Sequence, residues 1–168
     1  GIEDFTALTY LDCSNDNCTS LDVSQNTSLT TLICQLNPIT SLDVSQNTAL
    51  TTLNCNSNQL TSLDVSSNTV LTYLDCDMNI LTSLDVRNGN NTNFIYFSAY
   101  ANDSLTCIKV DDAAWSTANW TQINSQHYFS NNCSGSTDIQ KHIIKKNLLK
   151  VTDILGRETK ETKNEPLF

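Results

Sequence analysis

One spacing dominates the chain. Leucines recur at Leu8, Leu29, Leu50 and Leu71, and again at Leu11, Leu32, Leu53 and Leu74, each 21 residues from the last. Cysteines follow in step at Cys13, Cys34, Cys55 and Cys76. Asp16, Asn37, Asn58 and Asn79 come next, then Leu21, Leu42, Leu63 and Leu84. The tetrapeptide Ser-Leu-Asp-Val returns whole at 20–23, 41–44, 62–65 and 83–86. A fixed period of this length marks a coil that cannot bury its apolar face alone and must stack on its neighbours.

Within a coil, Leu11 and Cys13 are two apart, so both point to one face of a strand. The next coil is expected to add its strand in parallel about 4.8 Å away. Leucine, cysteine and leucine then form columns through a shared interior, and Leu21 and Val23 line the opposite wall. The asparagine at each corner carries an amide that both donates and accepts, which suits it to buried turn backbone. Asp16, ionised, only accepts, so the first corner should be wetter.

The repeat L-x-x-L-x-C-x-x-N-x-L-T-S-L-D-V-S-x-N-T-x resembles a leucine-rich repeat, with Cys at its third leucine. The resemblance covers about residues 5–110 and implies a β-rich solenoid of parallel strands, about five 21-residue coils. A fifth, irregular copy runs from Phe94 through Phe97 and Ala99 to Asn102, after an insertion at Asn88-Gly89-Asn90-Asn91.

Three readings compete for the periodic cysteines. A zinc ion needs its thiolates at about 2.3 Å, whereas a stacked column spreads four of them over roughly 15 Å. Disulfides between neighbouring coils suit the Cα spacing, but in-register side chains point the same way, a poor match to the disulfide dihedral. Buried apolar thiols are the preferred reading. Cys18 stands where other copies have Ile39, Leu60 and Leu81 and is read likewise. Cys107 and Cys133 break the period. They bracket a segment carrying Trp115, Trp120, Tyr128 and Phe129. Residues 107–133 are therefore read as a C-terminal cap closed by a Cys107–Cys133 disulfide, with a helix starting at Asp111-Asp112. That bridge implies an oxidising compartment.

Outward positions on the first strand offer a binding face on the expected concave side. Tyr10, Asp12, Tyr73, Asp75, Asp77, Tyr96 and Tyr100 are the candidates, five of them toward the C-terminal end. An acidic patch with tyrosines suits a sugar, a peptide with basic residues or a cation, and the expected partner is a protein or glycan. The column Asp22, Asp43, Asp64 and Asp85 stacks like charges. It is expected to be stabilised by hydroxyl and turn-amide hydrogen bonds rather than by cations.

Other function classes are disfavoured. The net charge of −9 argues against nucleic acid. The charge is uneven: residues 1–133 hold thirteen acids and two bases, a net −11, while 134–168 hold five acids and seven bases, a net +2. No apolar run reaches the length of a membrane span. The two histidines, His127 and His142, lack a partner at metal spacing and no G-x-S-x-G occurs. No catalytic residue, metal site or cofactor is therefore expected.

A linker is placed at 134–137, and Val151, Asp153, Leu155, Gly156, Arg157 and Glu158 follow in the order V-x-D-x-L-G-R-E. This stretch resembles the C-terminal sorting domain of type IX secretion cargo in Bacteroidetes-type bacteria. The resemblance implies part of a β-sandwich signal over 138–168, read by outer-membrane export machinery. It also implies a secreted or outer-membrane surface location in a Gram-negative cell. Asp103-Ser104-Leu105 is similar to the short O-glycosylation pattern of such bacteria, with Ser104 as acceptor. With no initiator Met, and a tail ending at Pro166-Leu167-Phe168 before the family's further strands, the chain is expected to be a processed piece. The expected function is non-catalytic binding. The alternatives are a structural or adhesive surface protein, or the recognition part of a larger enzyme.

Overall fold

The computed structural model describes residues 1–133, which form one compact unit, Gly1–Cys133. The proposed linker, the sorting motif and the 138–168 domain lie outside the described residues. Among the described residues nine three-residue strands occur: β1 (Tyr10–Asp12), β2 (Thr31–Ile33), β3 (Thr52–Asn54), β4 (Ser62–Asp64), β5 (Tyr73–Asp75), β6 (Ser83–Asp85), β7 (Tyr96–Ser98), β8 (Cys107–Lys109) and β9 (Tyr128–Ser130). One short helix, α1 (Ala113–Asn119), lies between β8 and β9. A first sheet has the order β1-β2-β3-β5-β7 and a second the order β4-β6-β8-β9, with every pairing parallel.

The register is the repeat itself. Leu11 pairs with Leu32, Leu32 with Leu53, Leu53 with Leu74 and Leu74 with Phe97. Because equivalent residues sit opposite each other, each leucine column is continuous through the interior. Leu32, Leu53, Leu74, Cys34, Cys55, Cys76, Val44, Val65 and Val86 are all fully buried. At about 25 cal/mol per Å² of apolar surface, burial of this whole set drives folding, and no coil achieves it by itself.

Two asparagine ladders satisfy the corners. Asn37 Nδ2 donates to Cys13 O (2.8 Å) and Cys34 O (3.0 Å), one carbonyl in each of two coils. Asn58 and Asn79 repeat this one and two coils on. The acceptor side is used as well: Ile39 N–H donates to Asn58 Oδ1 (3.1 Å) and Leu60 N–H to Asn79 Oδ1 (2.9 Å). Asp16 is exposed, as expected for a residue that cannot donate. The second ladder, from the Asn of each S-x-N-T, places Asn47 Nδ2 on Val23 O and Asn26 O (both 2.9 Å). Asn68 does the same to Val44 O and Asn47 O.

Two expectations change. The first concerns the number of turns, six rather than five. Residues 107–133 are built into the solenoid: Cys107-Ile108-Lys109 continues the second sheet beside Ser83-Leu84-Asp85, and β9 pairs with β8. Ser98 bridges to Gln122 beside the first sheet. The signal for this was Thr-Cys-Ile-Lys-Val at 106–110, a degenerate Thr-Ser-Leu-Asp-Val. The tetrapeptide forms strands from the third coil onward, while 20–23 and 41–44 line the opposite wall without strand pairing. The second is that Cys13 and Cys18 are half-buried against the core rather than within it.

The last turn is plugged by rings. Trp120, 6% exposed, stacks on Phe97 (centroids 4.1 Å apart) and meets Phe94, Trp115 and Phe129 at 5.2, 5.9 and 5.6 Å. Helix α1 starts where the sequence places it: Asp112 accepts from Ala114 N–H (2.9 Å) and Trp115 N–H (3.0 Å). Cys107 and Cys133 are bonded, with Cα atoms 5.9 Å apart.

Candidate functional site

The outward positions of the first sheet divide into two groups. Tyr10, 55% exposed, and Asp12 lie on β1, three strands from β5 and therefore about 14 Å from the rest. The Ser14 hydroxyl and amide bond Asp12 and hold its carboxyl below the ordinary range. The structure does not bring these two residues to the other candidates.

Tyr73, Asp75, Asp77, Tyr96 and Tyr100 do come together. In-register pairing of β5 with β7 sets Tyr73 opposite Tyr96, and their rings stack at 4.6 Å with planes 15° apart. Tyr100 is 53% exposed and Ile95, one residue before β7, is 81% exposed. The carboxylates are less available. Asp75 is only 8% exposed; its Oδ1 accepts from Asn56 Nδ2 (3.3 Å) and Asp77 N–H (3.2 Å). Asp77 Oδ1 accepts from the Ser98 hydroxyl and from Tyr100 N–H (2.6 Å). Burial pushes the Asp77 carboxyl above its ordinary value, against those hydrogen bonds, and the neighbouring Asp75 adds to the shift. Burial raises Tyr73 too, with Asp75 next. These two carboxylates therefore anchor the loop that presents Tyr100, while the rings supply the accessible surface.

Adjoining the Tyr96 edge is a cavity of about 340 Å³ whose lining includes Phe94, Ile95, Tyr96, Trp115, Asn119 and Gln122. Sequence reasoning missed Ile95, Asn119 and Gln122. Ile95 is recoverable as an apolar residue in an otherwise polar position before a strand, whereas Asn119 and Gln122 are brought there by α1 and the Ser98 bridge.

The aspartate column is stabilised by turn amides, as expected. Ser24, Ser45 and Ser66 N–H groups donate to Asp22, Asp43 and Asp64 Oδ1 at 2.9, 2.9 and 2.8 Å. These bonds hold Asp22 and Asp43 below the ordinary carboxylate range. At Asp85 burial opposes ionisation, but the Arg87 side chain and amide, aided by Lys109, outweigh it and lower the pKa. Among the described residues no group of three or more His, Cys, Asp or Glu is placed to hold a metal ion, and no helix is long and apolar enough to cross a membrane. Ser104 is exposed, and Leu105 beside it is fully buried in the core.

His127 is 3% exposed. Its Nε2 bonds Asn102 O (3.1 Å) and Asn124 N–H donates to its Nδ1 (3.3 Å), which fixes a neutral imidazole protonated at Nε2. Burial keeps its pKa below the ordinary value, against the Asn102 carbonyl. With a folded pKa below the unfolded one, the stabilisation is whole above the unfolded pKa of about 6.5 and is lost as pH falls toward the folded value. Urea melts at pH 7.5 and 5.5 should show a larger acid-side loss in the native chain than in His127→Gln. Equal losses would contradict this reading.

The solved functional domain of InlJ from Listeria monocytogenes, described as including a cysteine ladder, is similar to this chain. The identity is 45% and the TM-score 0.58, over 66% of this chain and 26% of that one. This chain thus spans about a quarter of the length of that domain. No protein-family model matches the sequence, and no curated protein does. The chain is a parallel-strand β-solenoid of about six turns with a leucine-rich-repeat neighbour and one disulfide. In this chain's own cysteine column, Cys55 Sγ donates to Asp75 O (3.5 Å) and Cys76 Sγ to Ser98 O (3.2 Å).

Proposed function

We propose that the chain is a non-catalytic binding module of the secreted or cell-surface type, recognising a protein or glycan through the C-terminal end of its first sheet. One observation carries this reading. The stacked Tyr73–Tyr96 pair adjoins the 340 Å³ cavity that Tyr96 and the 81%-exposed Ile95 help to line, and Tyr100 is exposed beyond the other end of β7. Exposed apolar surface of this kind, rimmed by polar groups, marks interaction sites, and tyrosines are the side chains that most often dominate such contacts. The neighbour's leucine-rich-repeat architecture supports a protein-binding or adhesive role. The V-x-D-x-L-G-R-E stretch supports delivery by type IX secretion, and the Cys107–Cys133 bond supports an oxidising destination.

Binding of the purified chain to a combined protein and glycan array tests the surface. Tyr96→Ala and Tyr100→Ala should each weaken capture of the selected partner by tenfold or more, the loss of one anchoring aromatic. Asp75→Ala is a poor probe, since it removes hydrogen bonds that hold the sheet edge. Unchanged capture by both tyrosine variants would sink the assignment.

A further inference from the structure

The corner that follows each strand of the first sheet sets a conformation and leaves the side chain open. Leu36 (φ 59°), Ser57 (φ 55°), Met78 (φ 50°) and Ala101 (φ 55°) are its left-handed residues in successive coils. Backbone bonds stack the first three on the next coil: Leu36 N–H on Asn56 O, Ser57 N–H on Asp77 O and Met78 N–H on Tyr100 O, each 2.9 Å. Four residue types fill one position, so stacking does not demand a thioether there. Yet the chain's single methionine stands at it, 57% exposed. The ladder sulfurs are shut away by contrast, with Cys34, Cys55 and Cys76 fully buried.

The Met78 sulfur touches a polar chain that ends at the candidate site. The Ser57 hydroxyl lies 3.5 Å from Met78 Sδ and also bonds Asn56 Oδ1. It has one proton, and the amide oxygen is the stronger acceptor, so the thioether takes the weaker share. Asn56 Nδ2 donates to Asp75 Oδ1 (3.3 Å), which also accepts from Asp77 N–H (3.2 Å). Asp77 Oδ1 in turn accepts from Tyr100 N–H (2.6 Å). Both backbone groups of Tyr100 are therefore held by consecutive residues, its N–H by Asp77 and its carbonyl by Met78.

We propose that Met78 is an oxidation site whose sulfoxide loosens the loop presenting Tyr100 and so weakens the binding surface. The consequence for binding rests on the function proposed above. The oxidant is a hydroperoxide. A lone pair of Met78 Sδ attacks the terminal peroxide oxygen and the O–O bond breaks. That oxygen stays on sulfur, and its proton passes to the departing oxygen, which leaves as water or an alcohol. Sulfur loses two electrons and the peroxide gains them. The new sulfoxide oxygen is a strong acceptor where the thioether was a weak one. It draws the one Ser57 proton away from Asn56. The Asn56 amide is then released to turn, and Asp75 and Asp77 hold Tyr100 less firmly. Reduction of the sulfoxide returns the thioether, so the change is reversible.

The test treats the full folded chain with hydrogen peroxide. Peptide mass mapping should find one added oxygen atom on Met78. Amide exchange at Tyr100 should quicken about threefold to tenfold, the worth of one neutral hydrogen bond. Met78→Leu given the same peroxide should show neither change, which separates Met78 from any thiol oxidation. Ser57→Ala should still take up oxygen at Met78, but its Tyr100 exchange should not respond, because the chain is cut at that hydroxyl. A partner selected on the untreated protein should bind the oxidised form about threefold to tenfold more weakly. Failure to select any partner would sink the binding function and leave exchange to decide the oxidation site. No oxygen on Met78, unchanged Tyr100 exchange, an equal response in Ser57→Ala, or equal capture before and after oxidation would each overturn the proposal.

Discussion

Asn58→Ala should cost about 3 kcal/mol. Asn58 donates to the carbonyls of Cys34 (3.0 Å) and Cys55 (3.0 Å) and accepts from Ile39 N–H (3.1 Å), all at a corner from which water is excluded. Alanine fills none of these roles. It leaves the buried Ile39 N–H without its partner, at about 1–3 kcal/mol, and removes one of two donors from the Cys34 and Cys55 carbonyls, which keep Asn37 and Asn79 Nδ2. Asn58→Asp sharpens the point, since it keeps the shape but loses the donors. A carboxylate would then face two carbonyl oxygens, so that variant should be least stable at neutral pH and recover in part below pH 4, where it is protonated. Urea unfolding followed by circular dichroism measures both. A loss under about 1 kcal/mol for Asn58→Ala would show that the ladder is decorative.

Removing the Cys107–Cys133 bond should cost about 3 kcal/mol. The bond closes a loop of 26 residues, and loop-closure entropy in the unfolded chain sets a cost of this order. The damage should be local at first. The bond joins β8 to the end of the turn that carries Trp120, so Cys107→Ser should open the last turn before the rest. Tyr128 N–H, bonded to Thr106 O at 2.9 Å, should then lose exchange protection while the β1–β3 amides keep theirs. Tryptophan fluorescence should shift at lower denaturant than circular dichroism, because Trp115 and Trp120 both pack in that turn. Coincident transitions would instead mean that the end turn and the body unfold as one unit.

How much of this was legible in the sequence follows from what kind of contact each feature needs. The leucine, cysteine and valine columns were legible because stacking copies a residue onto itself, so a period of 21 is already a contact map. The first asparagine ladder was legible for the same reason. The sixth turn was obscured by degeneracy: Ile108 and Lys109 replace Leu and Asp, and the spacing from Leu84 to Ile108 stretches to 24 residues. The left-handed backbone at Leu36 and Met78 was invisible, since neither residue type announces it. At the candidate site, the tyrosine column followed from strand alternation. That Asp75 is nearly closed off did not. Its burial depends on Asn56 in the preceding coil and Asp77 two residues on, side chains that differ between copies.

The asparagine amides also give the molecule an arrow. Asn37 completes coil one, Asn58 coil two, Asn79 coil three and Asn102 coil four, each reaching back to the carbonyl before it. Coil five is closed by a different device, Asn124 Oδ1 on Ala101 N–H (2.7 Å) and His127 on Asn102 O. Interior units are therefore interchangeable at their junctions, while the terminal one is bespoke. Duplication or deletion of a whole 21-residue unit within coils two to four leaves every backward donor with an identical acceptor.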